Sequence, residues 1–308
     1  RIRSLGAVEV FPDSGRIAPR EEVLRGVRGV DVLCCLLQDR IDAEVIDAAQ
    51  NLRLIVSGAI TPANIDMVRA TARGIRVTGI PNLVAETTAD MEWALLMSAA
   101  RRVVESDRAL RQGAFPGSQS VHFAGGEVYG KTLGTIGLGA IARGVARRAH
   151  GFGMKVLYTK PRRASAAEEE AMGVEYREFD ELLRESDFVT LNATYNPETH
   201  HLISTHELQL MKPTAYLVNA SRGPMVDEAA LVQALRDGEI AGAALDVYEF
   251  EPRIGPQLLA LENVVLTPHL GSASMDTRRA IANVMADNLE AFLSGRPLPN
   301  LLNPEVIG

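Results

Sequence analysis

The chain has 308 residues, enough for two domains of ordinary size, and its 46% hydrophobic and 23% charged residues are typical of a globular protein. A net charge of −7 argues against a general affinity for nucleic acid, so an anionic ligand would need a local positive site. No apolar run approaches the roughly 20 residues that cross a bilayer, and no signal peptide is visible. The only cysteines, Cys34 and Cys35, are adjacent in an apolar run. We expect buried, reduced thiols and a cytoplasmic location.

Strand-like and helix-like runs alternate through the first third of the chain, which favours parallel α/β layers. The predicted strands are residues 32–37, 54–57 and 75–78, and the predicted helices are residues 43–49 and 65–72. Asn64 is the predicted N-cap of the second helix. The amphipathic stretch 86–112 follows and predicts one or two helices that link two domains.

The same alternation resumes after residue 130 and predicts six further strands, the number of a doubly wound sheet. These strands are residues 132–136, 155–158, 188–191, 215–219, 242–247 and 264–266. The acidic run 164–171 predicts a solvated helix, and residues 275–293 predict a final helix. Residues 300–304 then return to the first domain, so we predict a nucleotide-binding domain inserted into a second α/β domain.

One motif combines a strand, a tight glycine turn and a helix. The apolar run 133–136 leads into Gly137-Leu-Gly139-Ala-Ile-Ala142, and a helix-like stretch follows. Gly137 permits the sharp turn, Gly139 lets the backbone approach a pyrophosphate, and Ala142 allows close packing of the helix. The free N–H groups at the start of the helix attract phosphate. An ordinary turn is the alternative interpretation, but the local context favours a dinucleotide site.

Three residues that can carry chemistry fall after predicted strands of this sheet, where ligands of open α/β sheets bind. They are Arg222, Glu251 and His269, and together they suit the reduction of a carbonyl group. A guanidinium can bind a carboxylate and polarise the adjacent carbonyl, while a histidine can protonate the new hydroxyl. A carboxylate on the other imidazole nitrogen would raise the pKa of His269. Taken singly, the three could be a surface arginine, a loop acid and a helix cap.

The chain resembles the D-2-hydroxyacid dehydrogenase family from about residue 30 to residue 308. Within it, Val128-Tyr-Gly-Lys-Thr-Leu-Gly-Thr-Ile-Gly-Leu-Gly and Thr267-Pro-His-Leu-Gly-Ser are most similar to glyoxylate and hydroxypyruvate reductases. The resemblance implies a Rossmann doubly wound parallel sheet, residues 95–275, inserted into a flavodoxin-like α/β substrate domain of residues 1–94 and 276–308. It also implies a homodimer formed through the Rossmann domain, and a first strand of the substrate domain that lies before Arg1.

The resemblance also implies roles for individual residues. Arg222, Glu251 and His269 match the family's catalytic set, Asp246 resembles the acid that contacts the nicotinamide carboxamide, and Thr88 resembles the threonine near the nicotinamide ring. The further cofactor contacts implied are Gly137, Leu138, Gly139, Ala140, Ile141, Ala193, Thr194, Thr199, Ala220, Ser221, His269 and Gly271. This chemistry needs no metal, and the remaining histidines show no metal-ligand spacing.

The substrate loop departs from the family pattern. Relatives carry a form such as Ala-Val-Gly-x-Asp-Asn-Ile-Asp, whereas this chain has Thr61 in place of the glycine and Ala63 in place of the acid. Backbone amides of this loop hold the substrate carboxylate in relatives, so Ile60 and Thr61 are predicted substrate contacts, together with Arg222. Threonine resists backbone angles that glycine adopts, which leaves the loop geometry open. We expect a small 2-oxo acid as substrate.

A second departure concerns the cofactor. An NAD enzyme carries an acid about 20 residues after the first glycine, where it binds the ribose hydroxyls. Here the strand ends in Thr159-Lys160-Pro161-Arg162-Arg163, and three cations would attract a 2′-phosphate. We therefore predict NADP as the preferred cofactor, with NAD possible. A solvated basic loop is the alternative interpretation.

Three functions remain open from the sequence. The first is reduction of glyoxylate, hydroxypyruvate or a similar 2-oxo acid to the D-2-hydroxy acid with NADPH. The second is a phosphite dehydrogenase-like activity, which the same scaffold and residues support in relatives. The third belongs to another class, a dinucleotide-sensing binding protein similar to the family's transcriptional corepressors.

Overall fold

The computed structural model describes residues 1–13, 16–115, 117–118 and 121–307. Their contacts separate into two compact units, the first combining Arg1–Leu83 with Ser274–Gly308 and the second comprising Val84–Ala273.

The helices are α1 (Arg20–Gly26), α2 (Ala43–Ala48), α3 (Met67–Ala72), α4 (Ala85–Ala100), α5 (Val103–Arg111), α6 (Ala140–Gly151), α7 (Ala166–Met172), α8 (Phe179–Glu185), α9 (Thr205–Leu210), α10 (Glu228–Asp237), α11 (Pro256–Leu259) and α12 (Met275–Leu293). The strands are β1 (Val32–Cys35), β2 (Leu54–Ser57), β3 (Arg76–Thr78), β4 (Thr132–Ile136), β5 (Lys155–Thr159), β6 (Val174–Tyr176), β7 (Phe188–Leu191), β8 (Tyr216–Asn219), β9 (Gly242–Leu245) and β10 (Val264–Leu266).

The first unit contains a parallel three-stranded sheet in the order β1-β2-β3. All four residues of β2 are buried, as expected of a central parallel strand. The C-terminal tail packs against β3, because the Leu302 N–H donates to the Val77 carbonyl and the Val77 N–H donates to Asn303 Oδ1, both at 2.8 Å. The predicted return of the tail is confirmed. The described residues form three strands of this sheet, fewer than the five of a flavodoxin-like sheet.

Two predictions for the first unit need correction. Asn64 does not cap α3, because Asp66 Oδ1 accepts from the Arg69 N–H (2.8 Å), while the Asn64 amide donates to two carbonyls of the loop after β1. A carboxylate at this position also complements the positive end of the helix dipole. Cys35 is buried but Cys34 is exposed, since adjacent strand residues face opposite ways.

The second unit contains a parallel seven-stranded sheet in the order β10-β9-β8-β7-β4-β5-β6. The strand order reverses between β4 and β7, which pair directly. Such a switch point opens a crevice at the carboxyl ends of the strands, where ligands of this fold bind. The sequence predicted six of these strands and missed β6, an edge strand of three residues that is too short to show an alternating pattern.

Apolar clusters flank both faces of this sheet. One contains side chains from α8, α9 and α10, and the other contains side chains from α4 and α6. Close packing places a glycine in the middle of β4, where a Cβ at Gly134 would overlap the Ser186 hydroxyl at the end of α8. Within the described ranges, none of the helices combines the length and hydropathy needed to cross a membrane.

The predicted linking stretch 86–112 forms two helices, α4 and α5, which separate at Arg102, a residue with a φ of +52°. α4 packs against α6, β8 and β9, so closely that a Cβ at Gly144 would lie 2.9 Å from the Ala89 side chain. The whole of α4 therefore belongs to the second unit. The domain boundary predicted after residue 94 falls inside this continuous helix, and the contacts place the division between Leu83 and Val84.

Candidate active site

The turn after β4 has the geometry that the glycine motif predicts. Gly137 adopts a φ of +105°, and a Cβ there would overlap the Asn192 carbonyl oxygen, so only glycine fits. Gly139 is the N-cap of α6, supplies no capping side chain and has open space where a Cβ would stand. A dinucleotide pyrophosphate fits this turn, because it would satisfy the first N–H groups of α6 and needs that space. Three further predicted contacts occupy the same turn: Leu138, Ala140 and Ile141.

Two neighbouring loops, after β7 and β8, are joined by a hydrogen bond. Ser221 Oγ donates to the Ala193 carbonyl (3.1 Å), and Thr199 Oγ1 donates to the Thr194 carbonyl (3.0 Å). Ala220 is buried directly after β8. The structure brings these predicted cofactor contacts to the edge of the sheet that carries the glycine turn, because β7 and β8 are the next strands beyond β4.

The carboxylate of Asp246, directly after β9, organises the loop that follows β10. Its Oδ1 accepts from Thr267 Oγ1 and from the Leu270 N–H, both at 2.6 Å, and its Oδ2 accepts from the Gly271 N–H at 2.7 Å. Asp246 is fully buried, and these three donors compensate for the loss of water. Thr88 lies beside them, since a Cβ at Gly271 would lie 3.4 Å from its methyl group. Sequence reasoning missed this ordering role, because two of the donors are backbone amides distant along the chain.

His269 lies in the same loop and is bound by Glu251. His269 adopts a left-handed φ of +56°, and its N–H donates to the Asp246 carbonyl (2.9 Å). Its Nδ1 lies 2.9 Å from Glu251 Oε2, and Glu251 Oε1 accepts from the Tyr248 N–H (3.0 Å). A left-handed residue with a side chain is uncommon and is typical of functional sites. The structure therefore brings together two of the three predicted catalytic residues.

The two side chains change each other's protonation. The hydrogen bond that His269 donates to Glu251 raises the pKa of His269, and burial offsets this only in part. Burial acts to raise the pKa of Glu251, but hydrogen bonds from His269 and from the Tyr248 N–H bring it below its usual value. The pair therefore keeps an imidazolium beside a carboxylate to a higher pH than a free histidine would stay protonated.

Arg222 comes from a third loop, which approaches the first two closely. It is exposed, and its Nη1 donates to the Ser221 carbonyl (2.7 Å). The next residue, Gly223, lies against the loop that carries Glu251, where a Cβ would overlap the Tyr248 carbonyl oxygen. The positive charge of Arg222 lowers the pKa of Glu251 and opposes protonation of the histidine. The predicted catalytic residues thus follow β8, β9 and β10 in turn.

In the basic loop after β5, residues 160–163, one of the three cations is already paired with a carboxylate. Arg163 binds Glu169 through two hydrogen bonds of 2.8 Å, and Glu169 also accepts from the buried Tyr158 hydroxyl (2.7 Å). Glu169 is therefore not the solvated residue that the acidic run predicted, because its carboxylate turns back onto β5. Arg162 is exposed and Lys160 is half-buried, and neither has an ion-pair partner among the residues that the structure describes.

The predicted substrate loop lies in the first unit, after β2. Ile60 and Thr61 are exposed, and within the described ranges neither backbone N–H donates to a protein acceptor. Two free amides can bind the oxygens of a carboxylate. Thr61 does not adopt a left-handed backbone conformation, so threonine in place of the family's glycine introduces no strain of that kind.

The second unit alone defines a class of protein. Its glycine turn suits the phosphates of a dinucleotide, and along the same edge of the sheet an imidazole is held beside a carboxylate. Proton transfer next to a bound dinucleotide is the chemistry of a nicotinamide-dependent dehydrogenase.

Comparison with known proteins identifies the family. The model of the D-isomer specific 2-hydroxyacid dehydrogenase, NAD binding domain, matches residues 93–271. The glyoxylate reductase of Thermococcus gammatolerans is 47% identical over 310 aligned positions, which cover 99% of this chain and 92% of the relative. A Thermus thermophilus protein of known structure is 41% identical with a TM-score of 0.87, over 94% of this chain and 91% of its own. An NADPH-dependent glyoxylate/hydroxypyruvate reductase from Sinorhizobium meliloti, solved in complex with NADP and malonate, is 31% identical with a TM-score of 0.79, over 91% of this chain and 86% of its own.

The chain therefore belongs to the D-isomer specific 2-hydroxyacid dehydrogenase family. It is an NAD(P)-dependent oxidoreductase that acts on a CH–OH group. The predicted family, the α/β class and the Rossmann sheet are confirmed.

Proposed function

We propose that this protein reduces a small 2-oxo acid, of the glyoxylate or hydroxypyruvate type, to the D-2-hydroxy acid, with NADPH as the preferred coenzyme. The observation that carries the proposal is the bond between His269 and Glu251, which holds a proton donor at the sheet edge that bears the dinucleotide turn. The similarity to glyoxylate reductases over almost the whole chain supports the substrate class.

The protein's own part in the reaction is to bind the acid and to supply a proton. When bound, NADPH supplies the hydride that adds to the carbonyl carbon of the substrate. Arg222 pairs with the substrate carboxylate and polarises the neighbouring carbonyl. His269 carries its Glu251 bond on Nδ1, so the proton on Nε2 passes to the carbonyl oxygen and leaves a neutral imidazole. Glu251 holds the required tautomer and stabilises the imidazolium before transfer.

We propose a carboxylate-binding role for the Ile60 and Thr61 amides of the first unit. Their N–H groups find no acceptor in the described part of the protein, which supports this role. Malonate, present in the complex of the Sinorhizobium meliloti relative, is likewise a small carboxylate. Both observations favour a short, charged substrate over a large apolar one.

We assign the 2′-phosphate of NADPH to Lys160 and Arg162. Both cations lack an ion-pair partner in the described ranges, whereas Arg163 is bound by Glu169. A phosphate satisfies such cations better than a ribose hydroxyl does, because the bond is charge-assisted. The NADP complex of the Sinorhizobium meliloti relative is consistent with this preference.

A homodimer through the second unit is the proposed assembly. α5 and the segment after it expose large apolar side chains that a partner surface could cover: Val103, Val104, Leu110, Phe115 and Val121. Light scattering of the protein and of a Leu110→Glu, Phe115→Glu variant tests this, and Val68→Glu, another exposed apolar position, is the matched control. A wild-type monomer would contradict the proposal.

A cytoplasmic location is part of the proposal. Both cysteines are free thiols, as expected in a reducing compartment. Cell fractionation followed by thiol labelling of the native protein tests it, and recovery of oxidised protein from an extracytoplasmic fraction would overturn it.

A substrate panel tests the proposed reaction. We expect turnover of glyoxylate and hydroxypyruvate, followed by the absorbance of the reduced nicotinamide, with NADPH giving a higher kcat/KM than NADH. Phosphite with NADP is the competing substrate, and turnover of phosphite alone would replace the proposal. Dinucleotide binding without turnover of any 2-oxo acid would favour the sensing function.

A further inference from the structure

A buried acid lies beneath the glycine turn and takes no part in the proposed reaction. Glu92, in α4, is 1% exposed. Its Oε2 accepts a hydrogen bond from Asn192 Nδ2 (3.1 Å), whereas its Oε1 is buried and has no partner within the described ranges. Asn192 Oδ1 is likewise buried and unpartnered. Buried polar atoms without a partner are rare, and here two belong to one pair of side chains.

One added proton would satisfy both unpartnered oxygens. A carboxyl group and a carboxamide that share one hydrogen bond can form a second one only if the carboxyl group is protonated, since an ionised carboxylate has no hydrogen to donate. A proton on Glu92 Oε1 would donate to Asn192 Oδ1 and satisfy both atoms at once. An ionised Glu92 would leave both oxygens buried without a donor, which is the costlier state.

The electrostatic surroundings of Glu92 also favour its protonated form. Burial raises its pKa to about 8, and only the bond from Asn192 acts in the opposite direction. No charged side chain in the described part of the protein adds to or subtracts from this shift. Besides Glu92, the titratable groups on α4 and on the elements packed against it are Glu86, Asp90, Glu105, Asp107, Arg108, Arg111, Arg143, Arg147, Arg148, His150 and Tyr216, and Asp246 directly follows β9.

Asn192 connects this buried pair to the dinucleotide turn. Its N–H donates to the Ile136 carbonyl (2.8 Å), and its carbonyl oxygen is the atom that excludes a side chain at Gly137. Its Nδ2 lies 3.2 Å from Thr190 Oγ1 and 3.4 Å from Thr135 Oγ1. Thr135 Oγ1 in turn donates to the Gly137 carbonyl (3.1 Å). The side chain of Asn192 therefore supports the turn from below.

We propose that Glu92 is a neutral acid in the folded protein, that it donates from Oε1 to Asn192 Oδ1, and that this reciprocal pair is a positioning element for dinucleotide binding at Gly137. Ionisation in alkaline solution breaks the second bond, leaves Asn192 Oδ1 without a donor and weakens binding at the turn, while the bond from Asn192 Nδ2 to Glu92 Oε2 remains. The effect on binding rests on the proposed cofactor site, whereas the protonation state of Glu92 does not.

Infrared spectroscopy of the coenzyme-free protein tests the protonation directly. We expect a carbonyl stretch of a protonated carboxyl group that shifts in D2O, disappears as the pH rises through about 8, and is absent from Glu92→Gln. Glu86→Gln is the matched control on the same helix, because arginine pairing lowers the pKa of Glu86 and it holds no proton near neutral pH. Wild-type protein without this band overturns the proposal, and this outcome is read without any variant.

Coenzyme titration at several pH values tests the positioning role. We expect the Kd of the wild type for NADPH, measured by fluorescence, to rise roughly three- to tenfold above about pH 8, since one neutral hydrogen bond is lost. Glu92→Gln preserves both bonds without a titrating group, so its Kd should stay flat over this range. Identical pH profiles for the wild type and Glu92→Gln would show a merely structural pair and overturn the positioning role. Absence of NADPH binding at every pH, with the infrared band present, would instead disprove the proposed cofactor site.

Thermal unfolding gives a third readout. Between about pH 4.5, the ordinary pKa of glutamate, and about pH 8, the folded protein holds a proton on Glu92 and the unfolded chain does not. Glu92 therefore makes the free energy of unfolding fall as the pH rises through this window. Glu92→Gln removes that dependence. We expect the Tm of the variant to exceed that of the wild type by a margin that grows from about pH 4.5 to about pH 8, and a constant difference would contradict a titrating Glu92.

Discussion

The seven-stranded sheet holds charge in two different ways along its carboxyl edge. After β9 and β10, each charged group has several fixed partners, since Asp246 accepts three hydrogen bonds and Glu251 binds both His269 and a backbone N–H. After β5, Arg162 is exposed, and Arg163 binds Glu169, whose carboxylate also accepts from the Tyr158 hydroxyl. The proposed proton-transfer region is thus held by several hydrogen bonds, whereas Arg162 of the basic loop has no ion-pair partner among the described residues.

This difference predicts how large the effects of substitution should be. Asp246 is a buried hydrogen-bonded charge and is costly to disturb, because its partners lose compensation as well. Exposed ion pairs contribute only about 0–1 kcal/mol to stability and weaken further in salt. Changes at the His269 loop should alter activity by orders of magnitude, because the proposed proton donor lies there, and changes at the β5 loop by about tenfold or less.

The largest effect should come from His269→Gln. Removal of the proton donor should lower kcat for glyoxylate reduction by about 10²- to 10⁴-fold, while the Kd for NADPH stays nearly unchanged. Steady-state kinetics and fluorescence titration measure the two quantities. His206→Gln is the control, because His206 is exposed. Activity retained in His269→Gln would remove this histidine from the mechanism.

Glu251→Gln should have the next largest effect. Glu251 raises the pKa of His269, and the reduction needs the protonated imidazole, so the wild-type rate should fall only as the pH rises above that raised pKa. The variant should lose its activity at a lower pH and show a kcat about tenfold below the wild type near neutrality. The pH dependence of kcat measures both. An alkaline limb at the same pH in both proteins would contradict the proposed coupling.

Arg162→Ala should have a smaller effect, confined to coenzyme choice. We expect the ratio of kcat/KM for NADPH to that for NADH to fall about tenfold, because one charge-assisted bond to the 2′-phosphate is lost. Arg163→Ala, the matched variant, should change the ratio less, since Glu169 already occupies its guanidinium. A preference of the wild type for NADH would end the NADP assignment.

The smallest effect should come from Glu169→Gln. Loss of the carboxylate frees Arg163 and should raise the same coenzyme ratio by about two- to threefold at low salt, with less change at high salt. Glu170→Gln, on the exposed side of α7, is the control. A ratio unaffected by Glu169→Gln would mean that Arg163 does not contribute to coenzyme choice.

The sequence predicted the features that depend on local patterns. The glycine turn, Arg222, Glu251 and His269 follow from residue type and from their positions after strands, and the family resemblance extended these to Asp246 and Thr88. Most strands of the large sheet were predicted because their apolar runs are bounded by turn residues. These features require little knowledge of partners that are distant along the chain.

The features that the sequence did not predict depend on partners that are distant in the chain or on competition between neighbours. Whether Asn64 or Asp66 caps α3 depends on which side chain the loop after β1 engages. The pairing of Arg163 with Glu169 cannot be inferred from a run of like charges. The Glu92–Asn192 contact joins a helix and a strand end 100 residues apart, and nothing in either local sequence indicates it.

Gly223 restricts how this enzyme could be redesigned. Any side chain there would collide with the peptide that leads to Glu251, and so would push apart the backbones that carry the guanidinium and the acid. A selection for activity should eliminate mutations that displace only Arg222 or only Glu251, because the two loops can shift only together. Variation in substrate range should instead accumulate at positions outside this interlocked pair of loops, such as Ile60 and Thr61, whose backbone N–H groups donate to no acceptor in the described part of the protein.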